Sequence, residues 1–394
     1  MTSRFFGQRF EISQRRRVAA LLFMSIFSSH SAHSSAGLSG FGVSPPPSTP
    51  PAQTGPFPLS TKTTLVIPAG SEFCGIDDIF NNGFEATTFV LSSQLTGGLA
   101  SPGLTQDITG TGSLSVTITS PSSGASTGEA TVDVSGTFTG PINTGITVNG
   151  VVGYVANGAF LVPSVPLTSG SNALSATATI LTGATASYGG SVTKTGSPSA
   201  LSIQVNHATG YAPLGSSFTF SIGTLPSGFP VQNVSITFKG TGTPDYSGSS
   251  LSGAPTSYTY TQAGLYNATL SVTDTHANTY TAYRPVLVQD LAVQRGMLCD
   301  VYGYLKDRLN AQDATNAANA FQSVVKSSYQ SLFFTFGSNM PTVAQSLGVV
   351  VSGLLGQGFA ELFIVRDNVA QQTRAEFPMR LTQGADGVWR ISEM

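Results

Sequence analysis

The sequence of 394 residues predicts a mainly β protein with two β-sandwiches in tandem and a small α+β domain after them. Short runs of alternating apolar residues, separated by turn residues, continue from Leu114 to Gln289, which is typical of sandwiches. From Leu291 the apolar residues take helical spacing, and alternation returns at Phe359. Charged residues make up only 9% of the chain, a composition that suits strands and tight turns.

The first 36 residues are predicted to be a signal peptide. Arg15, Arg16 and Arg17 precede the apolar run Val18–Phe27, and small residues follow through Ala36. A transmembrane helix needs ~20 apolar residues, about twice the length of this run. We therefore expect a protein that is secreted or held at the cell surface, or is periplasmic, with no membrane span after signal removal.

The segment before the first sandwich has two predicted parts. Residues 37–60 are rich in proline and should form an extended linker. Residues 61–112 are predicted to be a strand-rich segment that packs on the following domain. Three acids in this segment can bind a cation, although a solvated turn is the favoured interpretation; they are Asp77, Asp78 and Glu85.

The chain has two cysteines, Cys74 and Cys299. In an oxidising compartment they can form a disulfide, although they lie in different parts of the chain. The alternative is a pair of buried thiols. The sequence leaves both open.

Residues 113–196 carry the pattern of the first sandwich. Leu114, Val116 and Ile118 alternate on one face of a strand, and Asn149-Gly150 between apolar runs predicts a hairpin. The order of motifs resembles the Ig-like domain B of glucodextranase, which is found in many bacterial surface proteins. The matching residues are Val116-Thr117-Ile118-Thr119-Ser120-Pro121, Val148-Asn149-Gly150 and Gly170-Ser171-Asn172 with Leu174.

Residues 197–290 carry a second strand pattern. Its motif residues are Tyr260, Gly264, Tyr266, Leu270, Val272 and Asp274, with Ala212-Pro213-Leu214 upstream. These residues fall on the strand-turn-strand motif of the polycystic-kidney-disease (PKD) repeat, another Ig-like sandwich, which the segment resembles. In that family a preceding loop carries acids of the kind that bind calcium. Here Lys239 and Thr241 take the acidic positions, and only Asp245 remains nearby. We therefore expect a turn without calcium.

Residues 291–394 are predicted to be helices followed by a curled antiparallel sheet. This segment resembles the nuclear-transport-factor-2-like, or cystatin-like, α+β module. The resemblance rests on Tyr329, Met340-Pro341, Ala344-Gln345, Val365, Asn368-Val369-Ala370 and Asp386-Gly387-Val388-Trp389-Arg390-Ile391. It implies a fold that serves many functions, so it implies no particular activity.

Few residues suggest chemistry. After signal removal the histidines are His207 and His276, which with Asp274 give a weak metal set; exposed turn histidines are the favoured interpretation. No nucleophile-elbow, phosphate-loop or zinc-helix motif is present. Enzymes with the cystatin-like fold can use acid and tyrosine pairs. Residues of those types are Asp300, Tyr302, Tyr304, Glu361 and Glu376, whereas Trp389 is interpreted as sheet core.

These observations predict a non-catalytic secreted or cell-surface interaction protein that needs no cofactor and no metal. A net charge of -2 gives no basic surface for nucleic acid. The expected partner is an unidentified protein or glycan at the cell surface. Two alternatives stay open: a carbohydrate-binding accessory protein, and small-molecule binding or enzymatic activity in the C-terminal pocket.

Overall fold

The computed structural model describes Cys74 and residues 108–109, 112–196, 199–368 and 373–394. All of these residues belong to one compact unit. The predicted signal peptide, the proline-rich linker and the acids Asp77, Asp78 and Glu85 lie outside the described residues. Within the described residues, no helix is long and apolar enough to span a membrane.

Residues 115–194 form a sandwich of two sheets, with Ig-like strand order. One sheet has the order β1-β3-β7-β6 and the other the order β2-β9-β8-β4-β5. β2 pairs with β9 in parallel, so the chain passes from one sheet to the other between β1 and β2. The strands are β1 Ser115–Ser120, β2 Ala125–Thr127, β3 Thr131–Thr139, β4 Gly145–Val148, β5 Val151–Val152, β6 Tyr154–Ala156, β7 Ala159–Pro166, β8 Gly170–Thr179 and β9 Thr185–Lys194.

Residues 201–289 repeat this plan. The orders are β10-β12-β15 and β11-β17-β16-β13-β14, again with a short parallel pair, β11 with β17. Alternating residues of β16 such as Ala268, Leu270 and Val272 are fully buried, as the sequence pattern predicts. The strands are β10 Leu201–Asn206, β11 Thr209–Tyr211, β12 Leu214–Ile222, β13 Val231–Thr237, β14 Tyr246–Gly248, β15 Ser257–Tyr260, β16 Gly264–Asp274 and β17 Thr279–Gln289.

The C-terminal region has helices on one face of an antiparallel sheet with the order β18-β19-β20-β21. Asp290 directly joins β17 to the first helix and caps it, because its Oδ1 accepts a hydrogen bond from the Ala292 amide at 2.8 Å. The elements are α1 Leu291–Asn310, α2 Ala314–Ala317, α3 Ser323–Phe336, α4 Met340–Ser346, β18 Val349–Leu355, β19 Phe359–Asn368, β20 Thr373–Gln383 and β21 Trp389–Glu393.

The predicted fold class, mainly β with two Ig-like sandwiches and a small α+β region, is confirmed. Each region has its own apolar core, but the third core is not confined to residues 291–394. Ile108 and Leu181 are buried in it, and Ile142 and Cys74 pack against it. The C-terminal region is therefore packed directly against the first sandwich.

Candidate functional site

A cleft lies where the two sandwiches and the C-terminal region meet. The centre of a water molecule can occupy about 20 Å³ of it, and the space free of protein atoms, open solvent included, is about 400 Å³. No residue of the lining carries a formal charge. The main polar and aromatic lining residues are Asn143 and Tyr154 of the first sandwich, Tyr211 and Gln289 of the second, and Gln294 and Trp389 of the C-terminal region.

Asn143 joins the first sandwich to the C-terminal sheet. This buried residue lies in the turn between β3 and β4, and its Nδ2 donates to the Trp389 carbonyl at 2.9 Å. The Trp389 amide donates in return to Asn143 Oδ1, also at 2.9 Å. The side chain therefore pairs with the backbone of β21 as a neighbouring strand would, and no buried polar atom of this pair is left unsatisfied.

Gly145 allows the same junction to close. A Cβ placed on it would lie 2.3 Å from the Asp386 carbonyl oxygen and 2.4 Å from the Val388 nitrogen. Both are backbone atoms of the turn between β20 and β21, so they cannot rotate away as a flexible side chain would. The two domains are in contact at this point because the residue has no side chain.

Two glutamines add further hydrogen bonds between the domains. Gln383 Nε2 donates to the Gly387 carbonyl at 2.9 Å and to the Gly153 carbonyl of the first sandwich at 3.3 Å. Gln289 Nε2 of the second sandwich donates to the Val155 carbonyl at 3.2 Å. Neutral amides, with both donors and an acceptor, therefore line the cleft and hold its walls.

Gln294 differs from the other amides of the cleft. It lies on α1 and is only 8% exposed, yet its Nε2 has no hydrogen-bond partner among the described residues. A buried amide without a partner costs about 1–3 kcal/mol. The buried Gln294 amide therefore lowers the stability of the fold.

The Tyr211 phenol of the cleft remains neutral. Burial raises the pKa of Tyr211 to about 12, and the nearby Tyr154 phenol adds to this. At physiological pH the Tyr211 hydroxyl therefore stays protonated. It offers the cleft another neutral group that can both donate and accept a hydrogen bond.

The acids and tyrosines that suggested catalysis do not form one site. Tyr302 is buried in the core and donates to the Gly348 carbonyl at 3.0 Å, and burial raises its pKa. Glu361 instead forms an ion pair with Arg380 at 3.3 Å. Glu361 alternates with the buried Ala360 and Leu362 along β19, so it lies on the sheet face opposite the helices.

The remaining candidates of that set lie on one helix and on the sheet. Asp300 and Tyr304 are buried on α1, and desolvation raises the pKa of Tyr304. Glu376 is exposed and pairs in register with Val365, on the same outer face as Glu361. Helix tyrosines and sheet carboxylates therefore occupy opposite faces of the sheet, and the structure brings together no acid–tyrosine pair across it.

The histidine set is also dispersed. His276 stacks on Phe229 with ring centroids 3.5 Å apart, and Asp274 accepts hydrogen bonds from the His276 and Asn278 amides. His276 lies just before the start of β17. His207 lies just before β11, whose first residue pairs with Leu287 near the end of β17, so the two histidines are at opposite ends of that strand. Among the described residues, no three metal-ligating side chains are grouped.

The segment from Phe238 to Asp245 is a turn that leads into β14. Asp245, the acid that remains there, accepts a hydrogen bond from the Phe238 amide at 2.7 Å. Gly240 has a φ of 75°, and a Cβ on it would lie 2.7 Å from the Asn267 carbonyl oxygen. The glycine is therefore required by close packing, and the acid has a structural role.

Cys74 and Cys299 are joined by a disulfide with Cα atoms 5.4 Å apart. Cys299 lies on α1 and is buried. The bond ties Cys74 to the first helix of the C-terminal region across 225 residues of chain.

No protein-family model and no curated protein matches the sequence. Solved structures with local similarity include the fibronectin(III)-like modules of Clostridium thermocellum CbhA, with 16% identity over 44% of this chain and 94% of that one, at a TM-score of 0.17. Domains 5-6 of the S-layer protein SbsC match with 14% identity over 45% and 99%, at a TM-score of 0.21. The Bacteroides ovatus protein SGBP-B, solved with a mixed-linkage heptasaccharide, matches with 13% identity over 44% and 47%, at 0.15.

Sequence reasoning missed most of the cleft. Asn143, Gln289, Gln294 and Gln383 belong to no motif, and each comes from a different element. Trp389 was predicted to be sheet core, and it is 8% exposed within the C-terminal core, but it also lines the cleft. The available signal was positional: Gln289 and Gln383 are the last residues of β17 and β20, and Gln294 lies in the first turn of α1.

Proposed function

We propose that this chain is an exported, non-catalytic interaction protein of a bacterial cell surface. The observation that carries the proposal is the position of the sheet carboxylates Glu361 and Glu376, which lie on the face of the sheet opposite the buried helix tyrosines. The disulfide between Cys74 and Cys299 supports an oxidising compartment outside the cytoplasm. The predicted signal peptide supports the same compartment.

Each domain is assigned a type on the basis of its sequence motifs. We assign the first sandwich to the glucodextranase domain B type, the second to the PKD type and the C-terminal region to the nuclear-transport-factor-2-like type, on the motif residues that each contains. Cross-domain bonds at the junction favour sandwiches that present a shared surface rather than independent spacers.

A carbohydrate-binding accessory protein is the second candidate. It is favoured by the chemistry of the junction cleft, whose lining is made of amides, phenols and an indole without a charge. Side chains of these kinds suit a neutral ligand with many hydroxyl groups, because they donate and accept hydrogen bonds and offer flat apolar faces.

The test uses the mature chain, without its first 36 residues, and washed envelopes of the bacterium that produces it. We expect saturable binding in a sedimentation assay, and no reactive thiol in protein recovered from outside the cytoplasm. Accumulation in the cytoplasm with two reactive thiols would contradict export. Binding that does not saturate would contradict the interaction function.

A further inference from the structure

We propose that the free edge of β18 is a self-association surface, at which two copies of this chain pair to form a dimer with one continuous sheet. The free edge is the side of Val349–Leu355 that faces away from β19. The inference goes beyond the proposed function, because it names a second copy of this chain as a partner. It is carried by an edge without backbone partners, by the composition of its strand, and by exposed apolar side chains beside it.

The two edges of the C-terminal sheet differ. The β21 edge is covered, because the Gln322 amide donates to the Ile391 carbonyl at 2.9 Å. Asn143 pairs with the Trp389 backbone at the same edge. At the opposite edge β18 pairs only with β19, and no backbone hydrogen bond from elsewhere in the described part of the chain reaches Val349–Leu355. This edge therefore presents backbone donors and acceptors that another strand can satisfy.

The composition of β18 favours pairing with another chain. Natural edge strands avoid such pairing by being short, by carrying charges or proline, or by bulges. β18 has seven residues, whereas the terminal strands of the two five-stranded sheets have two or three. Its sequence, VVVSGLL, holds no charge and no proline. A bulge lies between Val350 and Ser352, so the regular ladder, Ser352–Leu355, is the proposed pairing segment.

Exposed apolar side chains lie beside this edge. Leu354 pairs in register with Glu361 and so lies on the outer face of the sheet, where it is 58% exposed. Phe359, at the start of the next strand, is 41% exposed. The charges of Glu361, Arg380 and Glu393 form ion pairs with one another on β19 to β21. The edge is therefore apolar with a charged margin, as protein–protein interfaces are.

The absence of charge on β18 selects a second copy as the partner. A twofold axis perpendicular to the sheet places the same strand of two copies side by side and antiparallel, so that donors and acceptors complement each other. A charged residue on this edge would lie near its own copy and repel it, and β18 has none. A charged partner would find no opposite charge on the strand. The result is an antiparallel sheet with four strands from each copy.

We expect this dimer to be in equilibrium with the monomer. The pairing segment is about 13 Å long, at about 3.4 Å per residue. A contact of this length, even with Leu354 against its copy, buries less than the about 1,200 Å² of a standard stable interface. We therefore expect a dissociation constant of about 1 to 100 µM.

The experiment is sedimentation velocity on the mature chain between about 1 µM and about 300 µM, a range that spans the expected dissociation constant. We expect the mass to rise from that of one chain towards that of two. Hydrogen exchange on the same samples reads the edge itself. The amides of Val349–Leu355 should exchange more slowly at the high concentration than at the low one, because the dimer satisfies them.

Two matched variants locate the surface. Leu354→Lys puts like charges close together in the dimer, so we expect at least tenfold weaker association. The side chain is more than half exposed, so the melting temperature should change little. Val324→Lys is the control: it places the same charge at another exposed aliphatic residue, 84% exposed on α3. This variant should dimerise as the unchanged chain does.

Each other outcome would overturn the proposal. If the unchanged chain sediments as a single copy throughout, the edge does not self-associate, and slow exchange in that monomer would mean that another part of the same chain covers it. If Leu354→Lys dimerises as tightly as Val324→Lys, the dimer uses a different surface. Species larger than two copies would contradict twofold pairing at this edge.

Discussion

At the scale of single residues, neutral side-chain amides rather than ion pairs join the first sandwich to the C-terminal region. Asn143 makes two hydrogen bonds to the Trp389 backbone, and Gln383 makes two to carbonyls of different domains. Neutral pairs avoid the desolvation cost of buried charges. They are also insensitive to salt, so we expect a junction that persists at high ionic strength.

Asn143→Ala should lower the free energy of unfolding by about 2–4 kcal/mol, because two buried backbone groups of Trp389 lose their partners. Asn149→Gly is the control: it removes two similar bonds, to Ala173 and Ser175, at an exposed hairpin. Water replaces those bonds, so its cost should stay below about 1 kcal/mol. Equal losses for the two variants in urea denaturation would contradict the role of Asn143.

Asp274 makes the second sandwich sensitive to acid. Burial tends to raise its pKa, but hydrogen bonds from Ser227, Asn278 and His276 outweigh burial and lower the pKa to about 2. Because the pKa is lower in the folded protein than in the unfolded chain, the charged form contributes stability above about pH 4. This contribution is lost as the pH falls from about 4 to 2.

We therefore expect the difference in melting temperature between the unchanged chain and Asp274→Asn to shrink between pH 4 and pH 2. Asparagine takes up no proton in this range, whereas protonation of Asp274 removes the charge that stabilises the unchanged chain. Melting curves at half-unit pH steps measure this directly. A constant difference across that window would show that Asp274 does not titrate there.

At the scale of elements, the strands follow from the sequence because each buries one face. Ala268, Leu270 and Val272 alternate in the sequence and are all buried, so period-two patterning sufficed to predict β16. The cleft could not be predicted in this way. Its lining residues are brought together by contacts between domains, and the spacing of Gln289 and Gln294 in the sequence carries no information about Tyr154.

The turn from Phe238 to Asp245 is not expected to bind calcium. With Asp245 bonded to the Phe238 amide and the cationic Lys239 in the same turn, 1 mM calcium should change the melting temperature by at most about 1 °C relative to chelator. Lys239→Asp with Thr241→Asp should create a calcium-dependent rise. A rise of about 5 °C or more in the unchanged chain would mean that other ligands build a site.

The disulfide closes a loop of 225 residues and should stabilise the folded chain by about 2–5 kcal/mol, because it restricts the unfolded chain. Replacing both Cys74 and Cys299 with alanine should lower the free energy of unfolding by that amount. Reducing agent should lower the melting temperature of the unchanged chain and leave that of the double variant unchanged. If reductant has no effect on the unchanged chain, the bond contributes nothing to stability.

At the scale of the whole molecule, the described domains are coupled rather than strung in line. Asp133 of the first sandwich forms an ion pair with Arg284 of the second at 3.1 Å, and Ile108 and Leu181 are buried in the core of the C-terminal region. A surface made jointly by three domains exists only while these contacts hold. The proposed binding function therefore depends on the junction.

The most direct measurement is the saturable binding of the mature chain to washed envelopes, compared between Gly145→Ala and Gly189→Ala. A Cβ on Gly145 meets backbone atoms across the junction at 2.3 Å, whereas one on Gly189 meets nothing within 4 Å. We expect Gly189→Ala to bind as the unchanged chain does, and Gly145→Ala to bind at least tenfold more weakly. Equal binding by the two variants would contradict a function that resides at the junction.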